Sequence, residues 1–366
     1  MSESDWRLTA GLAAEIREAI SKVFDIDSLT IGKSGDPTLR FQGRFLVPPD
    51  FAYEQLSPYM KQLGLTVIFR REDAEPVILL FPGTLPTKAP RTWPNIVLLI
   101  LTLWSTLFVG AMMVTDQPSD FLRHPWIGLP FAISLMTILG AHELGHYFTA
   151  KRYGVPVTLP YFIPMPFGPF GTLGAFISMK APPPNRRALL SIAAAGPIAG
   201  FILAVPILLI GLSMSTVTPL NLNGNAIMEG NSILYALLKV LTFGRFLPSG
   251  GEDVFLHPIA FAGWAGLLVT GLNLLPVGQL DGGHIVYALL GRKAQYLVWP
   301  VIIILIGLGT LWTGWFLWAA LMIIFGRQHA APMDDLTPLT FGQRVIGWAA
   351  IALFVMVFTP LPMSVY

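Results

Sequence analysis

A long uncharged run limits what this chain can fold into. Residues 93–114 include no charged side chain, and as a helix these 22 residues would extend for about 30 Å, enough to cross a bilayer's hydrocarbon core. Charge is uneven along the chain, because 23 of the 44 charged residues lie in residues 1–92 of 366. We therefore expect a polytopic α-helical membrane protein with a small N-terminal soluble domain, and the composition argues against an ordinary cytosolic enzyme.

The first 90 residues have the pattern of a small α/β domain. Apolar residues recur at helical spacing over 8–23, and a second helix is predicted over 48–63. Strand-like runs lie between and after these helices and include 39–45, 65–69 and 77–81, and the expected order is helix, two strands, helix, two strands. None of these segments resembles a catalytic motif.

Residues 91–366 form the predicted membrane domain. After the first span, further spans are expected at 126–150, 188–214, 258–280 and 345–359. The uncharged run 294–326 is too long for one upright span and short for two, and Gly307, Gly309 and Gly314 favour a tight hairpin there. Six or seven transmembrane helices are therefore expected.

Lysine and arginine in the short loops predict the orientation. Residues 151–187 contain five basic residues and no acidic one, whereas 115–129 contain Asp116, Asp120 and a single Arg123. Basic loops stay on the cytoplasmic side, so we expect a multi-pass protein of the cell membrane whose N-terminal domain is cytoplasmic. The net charge of +2 gives no reason to expect a nucleic acid partner, and the absence of cysteine excludes a Cys-ligated zinc site.

The second predicted span contains a metal-binding pattern. His142 and His146 are four residues apart, so both imidazoles lie on one helical face and can reach one metal ion. Glu143 stands one residue round from the first imidazole, where it can deprotonate a water molecule instead of binding the metal. It is the only formal charge between Arg123 and Lys151, and an ionisable group at membrane depth is costly unless it has a function.

A catalytic zinc site needs a third protein ligand, with one position left open for water. The fourth predicted span ends in residues 273–284, which read Asn-Leu-Leu-Pro-Val-Gly-Gln-Leu-Asp-Gly-Gly-His. Asp281 is the only acidic residue between Asp253 and Arg292, and it is our candidate. His284 is the competitor for this position.

Residues 142–146 and 273–282 together resemble the two signature motifs of the site-2 protease family, intramembrane zinc metalloproteases that cut the transmembrane helices of their substrates. The resemblance covers roughly residues 93–290, the expected catalytic core, and the N-terminal domain is similar to that of a bacterial and plastid subgroup. It implies one Zn2+ per chain with His142, His146 and Asp281 as ligands. It also implies that Glu143 is the general base and that Asn273 positions the substrate or stabilises the oxyanion.

The function expected from this resemblance is hydrolysis of peptide bonds within transmembrane segments of membrane proteins, as in regulated intramembrane proteolysis. The expected partners are transmembrane substrates and membrane lipid, with no nucleic acid, and the N-terminal domain is a candidate for binding a regulatory partner. The alternative is a catalytically silent membrane binding or chaperone protein on the same fold. It would retain the fold without turnover.

Two further segments lie close to these motifs in the chain. Residues 156–184 contain eight prolines and cannot form a regular helix. Within them, 170–179 is expected to form a strand or hairpin whose free edge pairs with an unwound substrate, and a stiff connector is the alternative. The small residues over 193–200 are expected to serve close helix packing.

Overall fold

The computed structural model describes residues 10–32, 39–84, 91–115, 117–220, 227–326 and 331–365. Its N-terminal unit consists of α1 (Ala10–Ser21), β1 (Phe24–Ile31), β2 (Leu39–Phe45), α2 (Pro49–Gln62), β3 (Leu65–Glu72) and β4 (Glu75–Pro82). This is the predicted order of elements. The strands form an antiparallel sheet in the order β1-β2-β4-β3, and alternate strand residues share one buried core with both helices.

The rest of the chain is mostly helical. Its elements are α3 (Trp93–Met112), α4 (Pro118–Arg123), α5 (Leu129–Arg152), β5 (Tyr161–Pro164), β6 (Thr172–Phe176), α6 (Arg186–Ser213), β7 (Thr216–Pro219), β8 (Ile227–Glu229), α7 (Ile233–Phe243), β9 (Glu252–Phe255), α8 (Pro258–Asn273), α9 (Asp281–Leu290), α10 (Val298–Gly309), α11 (Gly314–Phe325), α12 (Phe341–Val357) and β10 (Met363–Val365).

Within the described residues, four helical stretches are long and apolar enough to cross a membrane. They are Trp93–Met112, Pro125–Arg152, Arg186–Ser213 and Asp281–Gly309. Four shorter apolar helices accompany them, at Ile233–Phe243, Pro258–Asn273, Gly314–Ile324 and Phe341–Val357. The chain is thus a helical membrane protein, and the number of six or seven spans stays a prediction.

The predicted hairpin in 294–326 is present, because α10 and α11 are separated only by residues 310–313. Each arm has 12 residues, a rise of about 18 Å. The indole N–H of Trp315, at the start of α11, donates to the carbonyl of Pro360 at 2.7 Å. That bond attaches the tip of the hairpin to the segment that follows α12.

The prediction of one continuous span over 258–280 is wrong. Helix α8 ends at Asn273, and Asp281 begins the next helix, α9. Pro276 has no N–H to continue a helix, and Gly278 adopts a left-handed φ of +69°. The start of α9 packs tightly on this break, since a Cβ on Gly282 would lie 2.0 Å from the carbonyl oxygen of Leu274.

Small residues bring α5, α6 and α8 close together. A Cβ on Gly145 would lie 2.6 Å from the carbonyl oxygen of Ala195, and a Cβ on Gly263 would lie 2.7 Å from Leu208. Such distances leave room only for glycine, as the close helix packing predicted for this region requires. The packing places one face of α5 directly against α6.

Residues 331–340, the connecting segment before α12, join the N-terminal unit to the helices. The backbone N–H of Phe69 on β3 donates to the carbonyl of Met333 at 2.9 Å, and the N–H of Met333 donates to the carbonyl of Pro183 at 2.9 Å. An ion pair of 2.9 Å between Arg187 and Asp50 adds a direct link from α6 to α2. The N-terminal unit therefore sits at the end of the helices where α6 begins.

A second small assembly lies at the opposite end of α6. Strand β7 pairs with β9, and β8 pairs with β10 near the end of the chain. Lys239 on α7 is fully buried there, with its Nζ 3.2 Å from carboxylate oxygens of both Glu229 and Asp253. These ion pairs connect α7 to β8 and β9.

Candidate metal site

Helix α5 presents its two histidines as the four-residue spacing predicts. His142, Glu143 and His146 are all buried, and the Nε2 atoms of the two histidines are 3.2 Å apart. The Nδ1 of His146 donates to the carbonyl of Ile192 on α6 at 2.7 Å. Because that bond fixes the proton on Nδ1, the Nε2 of His146 keeps a lone pair for a metal.

Asp281 completes a triangle with the two imidazoles. Its Oδ2 lies 3.2 Å from the Nε2 of His142 and 3.2 Å from the Nε2 of His146. In the described part of the chain, no other group of three His, Asp or Glu side chains converges in this way. His284 lines the same cavity but is not part of the triangle.

The size of this triangle fits a zinc ion. In a tetrahedral site with metal–ligand distances of about 2.0–2.1 Å, neighbouring ligand atoms are about 3.3 Å apart. The three separations in the triangle are each 3.2 Å. Two imidazoles and one carboxylate, with room for a fourth ligand, are also a donor set that catalytic zinc uses.

Helix α6 forms the wall behind the imidazoles, a role that sequence reasoning missed. A Cβ on Gly196 would lie 2.0 Å from the Nε2 of His146, and a Cβ on Gly200 would lie 3.3 Å from His142. The sequence predicts only a helix-packing role for these glycines. No sequence signal separates these two glycines from glycines that serve helix packing alone.

Asn273 ends α8 beside the triangle. Its amide Nδ2 is 3.3 Å from the Nε2 of His142, and its side chain lines the same cavity as Asp281. The break after α8 thus places the two predicted polar residues of the second motif on neighbouring helix ends.

A cavity of about 190 Å³ lies in front of the triangle. Glu143 lines it, and the Oε2 of this carboxylate is buried without a hydrogen-bond partner among the described residues. Ala175, Phe176 and Ile177 also line it, and the backbone of Ile177 lies next to the Glu143 carboxylate. Strand β6 is present within the predicted 170–179 segment, where it pairs with β5. Its pairing with a substrate stays a prediction.

Comparison with known proteins gives the family. A model of peptidase family M50 matches residues 130–313, half of the chain, and this stretch includes all three residues of the triangle as well as Glu143 and Asn273. This chain belongs to peptidase family M50. The resemblance to the site-2 proteases is thereby confirmed.

The relatives of this M50 protein include plant proteins named as zinc metalloproteases. It is 30% identical over 355 residues to probable zinc metalloprotease EGY2, chloroplastic, of Arabidopsis thaliana, covering 93% of this chain and 63% of the relative. The chain is 34% identical over 257 residues to EGY1 of the same plant, and the match covers 68% of the chain and 45% of EGY1. It is 29% identical over 300 residues to EGY3 of Oryza sativa subsp. japonica, and that match covers 75% of the chain and 49% of EGY3.

The M50 protein therefore spans less than two thirds of the length of these relatives. No solved structure matches it. Zinc, the metal expected from the sequence, is the metal that the relatives' names give. The family match begins near the start of α5 and ends in the turn before α11, so the N-terminal unit and α12 lie outside it.

Proposed function

We propose that this M50 protein is an intramembrane zinc endopeptidase that hydrolyses peptide bonds within transmembrane segments of membrane proteins. The observation that carries the proposal is the triangle of the buried His142 and His146 with the partly buried Asp281, whose three ligand atoms are 3.2 Å apart. It lies between helices that are long and apolar enough to cross a membrane. A hydrolytic metal site is therefore within reach of a substrate that is itself in the membrane.

Each residue of the site has a proposed role. His142, His146 and Asp281 hold the zinc ion, which when bound supplies Lewis acidity and lowers the pKa of a water molecule. Glu143 accepts a proton at its unpartnered carboxylate oxygen and returns it to the leaving amine. Asn273 donates a hydrogen bond from its amide to the substrate or to the oxyanion that develops on it.

A helical substrate must unwind before it can be cut, because its carbonyls are engaged in hydrogen bonds within the helix. An unwound stretch in an apolar environment needs new partners for those backbone groups. Residues 175–177, at and just after the end of β6, line the cavity and are placed to provide them by strand addition. We propose that the substrate backbone lies along this segment, beside Glu143.

The distribution of basic residues supports a proposed orientation. Lys151 and Arg152 end α5, and Arg186 and Arg187 begin α6, at the end where the N-terminal unit is attached. By the positive-inside rule, residues 1–90 face the cytoplasm as a separate domain and residues 91–366 form the membrane domain. The proposed location is the cell membrane. A plastid membrane is the alternative, because the relatives are named chloroplastic.

The test uses purified full-length protein in lipid nanodiscs with a single-span model substrate, and measures both bound zinc and cleavage. Wild-type protein should bind one zinc ion and cut the substrate within its membrane segment. Glu143→Gln should keep the metal and lose cleavage, whereas Asp281→Asn should lose both. His284→Gln is the matched control for the third ligand and should keep zinc.

The outcomes separate the proposal from its rivals. A zinc-bound wild-type protein that cuts no membrane substrate would contradict the enzyme assignment and favour a silent binding or chaperone protein. Loss of zinc in His284→Gln with retention in Asp281→Asn would show that the third ligand is assigned to the wrong residue.

A further inference from the structure

A second cavity lies where α6 begins, α9 ends and α12 begins. Its volume is about 290 Å³, and it is lined by Arg186, Ala288, Leu289, Pro338, Leu339, Arg344 and Trp348. Helix α12 exposes Val345, Ile346 and Trp348. Exposed apolar residues on a membrane helix mark the start of the hydrocarbon layer, and tryptophan favours its boundary. The cavity is therefore at the level of the lipid headgroups.

Two guanidinium groups line the cavity, and neither is fully neutralised. Arg186 is mostly buried, and its Nε and Nη2 donate to the carbonyl of Ala288 at 3.1 and 2.6 Å. Its nearest carboxylate is that of Asp335, 4.0 Å from Nε. Arg344 is exposed, and its side chain forms no hydrogen bond or ion pair with the residues that the structure describes.

The surroundings add to the positive potential of the cavity. Helix α6 begins at Arg186 and α12 begins at Phe341, so both helices direct their N-terminal dipole ends toward this level. No acidic side chain is among the residues that line the cavity. Arginine recognises phosphate with paired N–H donors. Two arginines, two helix N-termini and no lining acid therefore favour a phosphate ligand over an uncharged apolar ligand.

The apolar half of the cavity favours a phosphate that is carried by a lipid. Leu289, Leu339 and Pro338 form its wall, and the half-exposed indole of Trp348 forms its rim. A free inorganic phosphate would leave these surfaces unused, whereas the glycerol portion of a phospholipid would cover them. Helix α12 is held against this wall because Gly347 packs on Leu289.

We propose that this cavity binds the headgroup phosphate of an anionic phospholipid, with Arg186 and Arg344 as its cationic partners. The bound lipid contacts α6, α9 and α12 at once. Two of these helices belong to the metal site, since α6 supports His146 through Ile192 and α9 begins with Asp281. Binding should therefore stabilise the membrane domain as a whole, and this expectation does not depend on proteolytic activity.

The experiment measures the thermal unfolding temperature of the full-length, delipidated protein in detergent. Phosphatidylglycerol, phosphatidylcholine and inorganic phosphate are titrated separately, and native mass spectrometry counts the retained lipids. Phosphatidylglycerol should raise the unfolding temperature and one molecule should be retained, whereas the other two ligands should have little effect. Arg344→Gln should weaken the apparent affinity about tenfold or more, the effect of losing one charge-assisted hydrogen bond.

Arg292→Gln is the matched control, because Arg292 is an exposed basic residue that follows α9 but does not line the cavity. It should bind phosphatidylglycerol like the wild type. Equal losses in Arg344→Gln and Arg292→Gln would show general charge attraction and would overturn the site. The same stabilisation by inorganic phosphate alone would overturn the lipid assignment.

Discussion

Gly196 lies against His146, and replacing it with alanine should cost the protein its metal. A Cβ at this position would lie 2.0 Å from the Nε2 of His146 and 2.4 and 2.5 Å from the two adjacent ring carbons. Ordinary contact begins near 3.4 Å, so the ring would have to retreat by about 1.4 Å. Zinc–ligand distances tolerate only about 0.2 Å, and His146 would no longer reach the ion.

The ring of His146 has no easy way to yield. It is buried, its Nδ1 donates a hydrogen bond to the carbonyl of Ile192 one turn before Gly196, and the ring of His142 packs against it in a T-shaped arrangement. Rotation of the ring would break that hydrogen bond and move the Nε2 of His146 away from His142 and Asp281. We therefore expect Gly196→Ala to weaken zinc binding by about 100-fold or more. Mutation of a residue that only orients a metal ligand typically weakens binding about 10- to 100-fold.

The assay is zinc affinity by competition with a chelating dye, with metal content by mass spectrometry, on purified full-length protein. Gly140→Ala is the control, since a Cβ there meets nothing within 4 Å on the same helix as the histidines. It should bind zinc like the wild type. A folded Gly196→Ala variant with wild-type zinc affinity would refute the reasoning, because it would show that His146 is not held where the geometry puts it.

Three further predictions concern other parts of the molecule. Lys239→Ala should destabilise the protein by about 3–5 kcal/mol in thermal unfolding, because Glu229 and Asp253 stay buried without their cation. Burial already raises the pKa of Glu229, so the loss of stability in Lys239→Ala should become smaller as the pH falls toward the pKa of this carboxyl group in the unfolded chain. A loss of stability that does not change with pH would contradict this. The exposed pair of Arg245 is the control, and Arg245→Ala should cost less than about 1 kcal/mol. Ile177→Pro should lower cleavage at least about tenfold with zinc retained, because it removes the backbone N–H that lies next to the Glu143 carboxylate at the cavity wall, whereas Ile177→Ala keeps that N–H and should stay active. Arg70→Ala should speed hydrogen exchange in the connecting segment, since Arg70 donates to the carbonyls of Pro332 and Met333, and exchange equal to that of the exposed control Arg71→Ala would argue against it.

Helix geometry explains why part of the site could be predicted from the sequence. Two imidazoles at a spacing of four residues must share a face of any α-helix, and the apolar sequence around them leaves no other regular structure in a membrane. The N-terminal order of helices and strands could be predicted for a similar reason, since the period of the apolar residues differs between the two kinds of element. Both predictions depend on local pattern alone.

The wall behind the histidines could not be predicted in the same way. A glycine in an apolar span is compatible with contact to any neighbouring helix, and nothing in the sequence of α6 says which side chain it meets. Only the packed structure shows that Gly196 faces the imidazole of His146. It also shows that the Nδ1 of His146 donates a hydrogen bond to the carbonyl of Ile192. The connection of β3 to residues 331–340 was missed for the same reason, since it joins segments about 260 residues apart.

The error at residues 258–280 shows how the second motif produces its geometry. In a continuous helix, Asn273 and Asp281 would be about 12 Å apart along the axis, too far to face the same imidazole. Pro276 and Gly278 end that helix, and Gly282 and Gly283 let the next one begin directly against the break. Asp281 then occupies the first residue of α9, where the helix dipole favours a carboxylate, and Asn273 lies at the end of α8. The glycines and proline of this motif are therefore as necessary to the site as its polar residues, because they fold two distant positions of one segment onto His142.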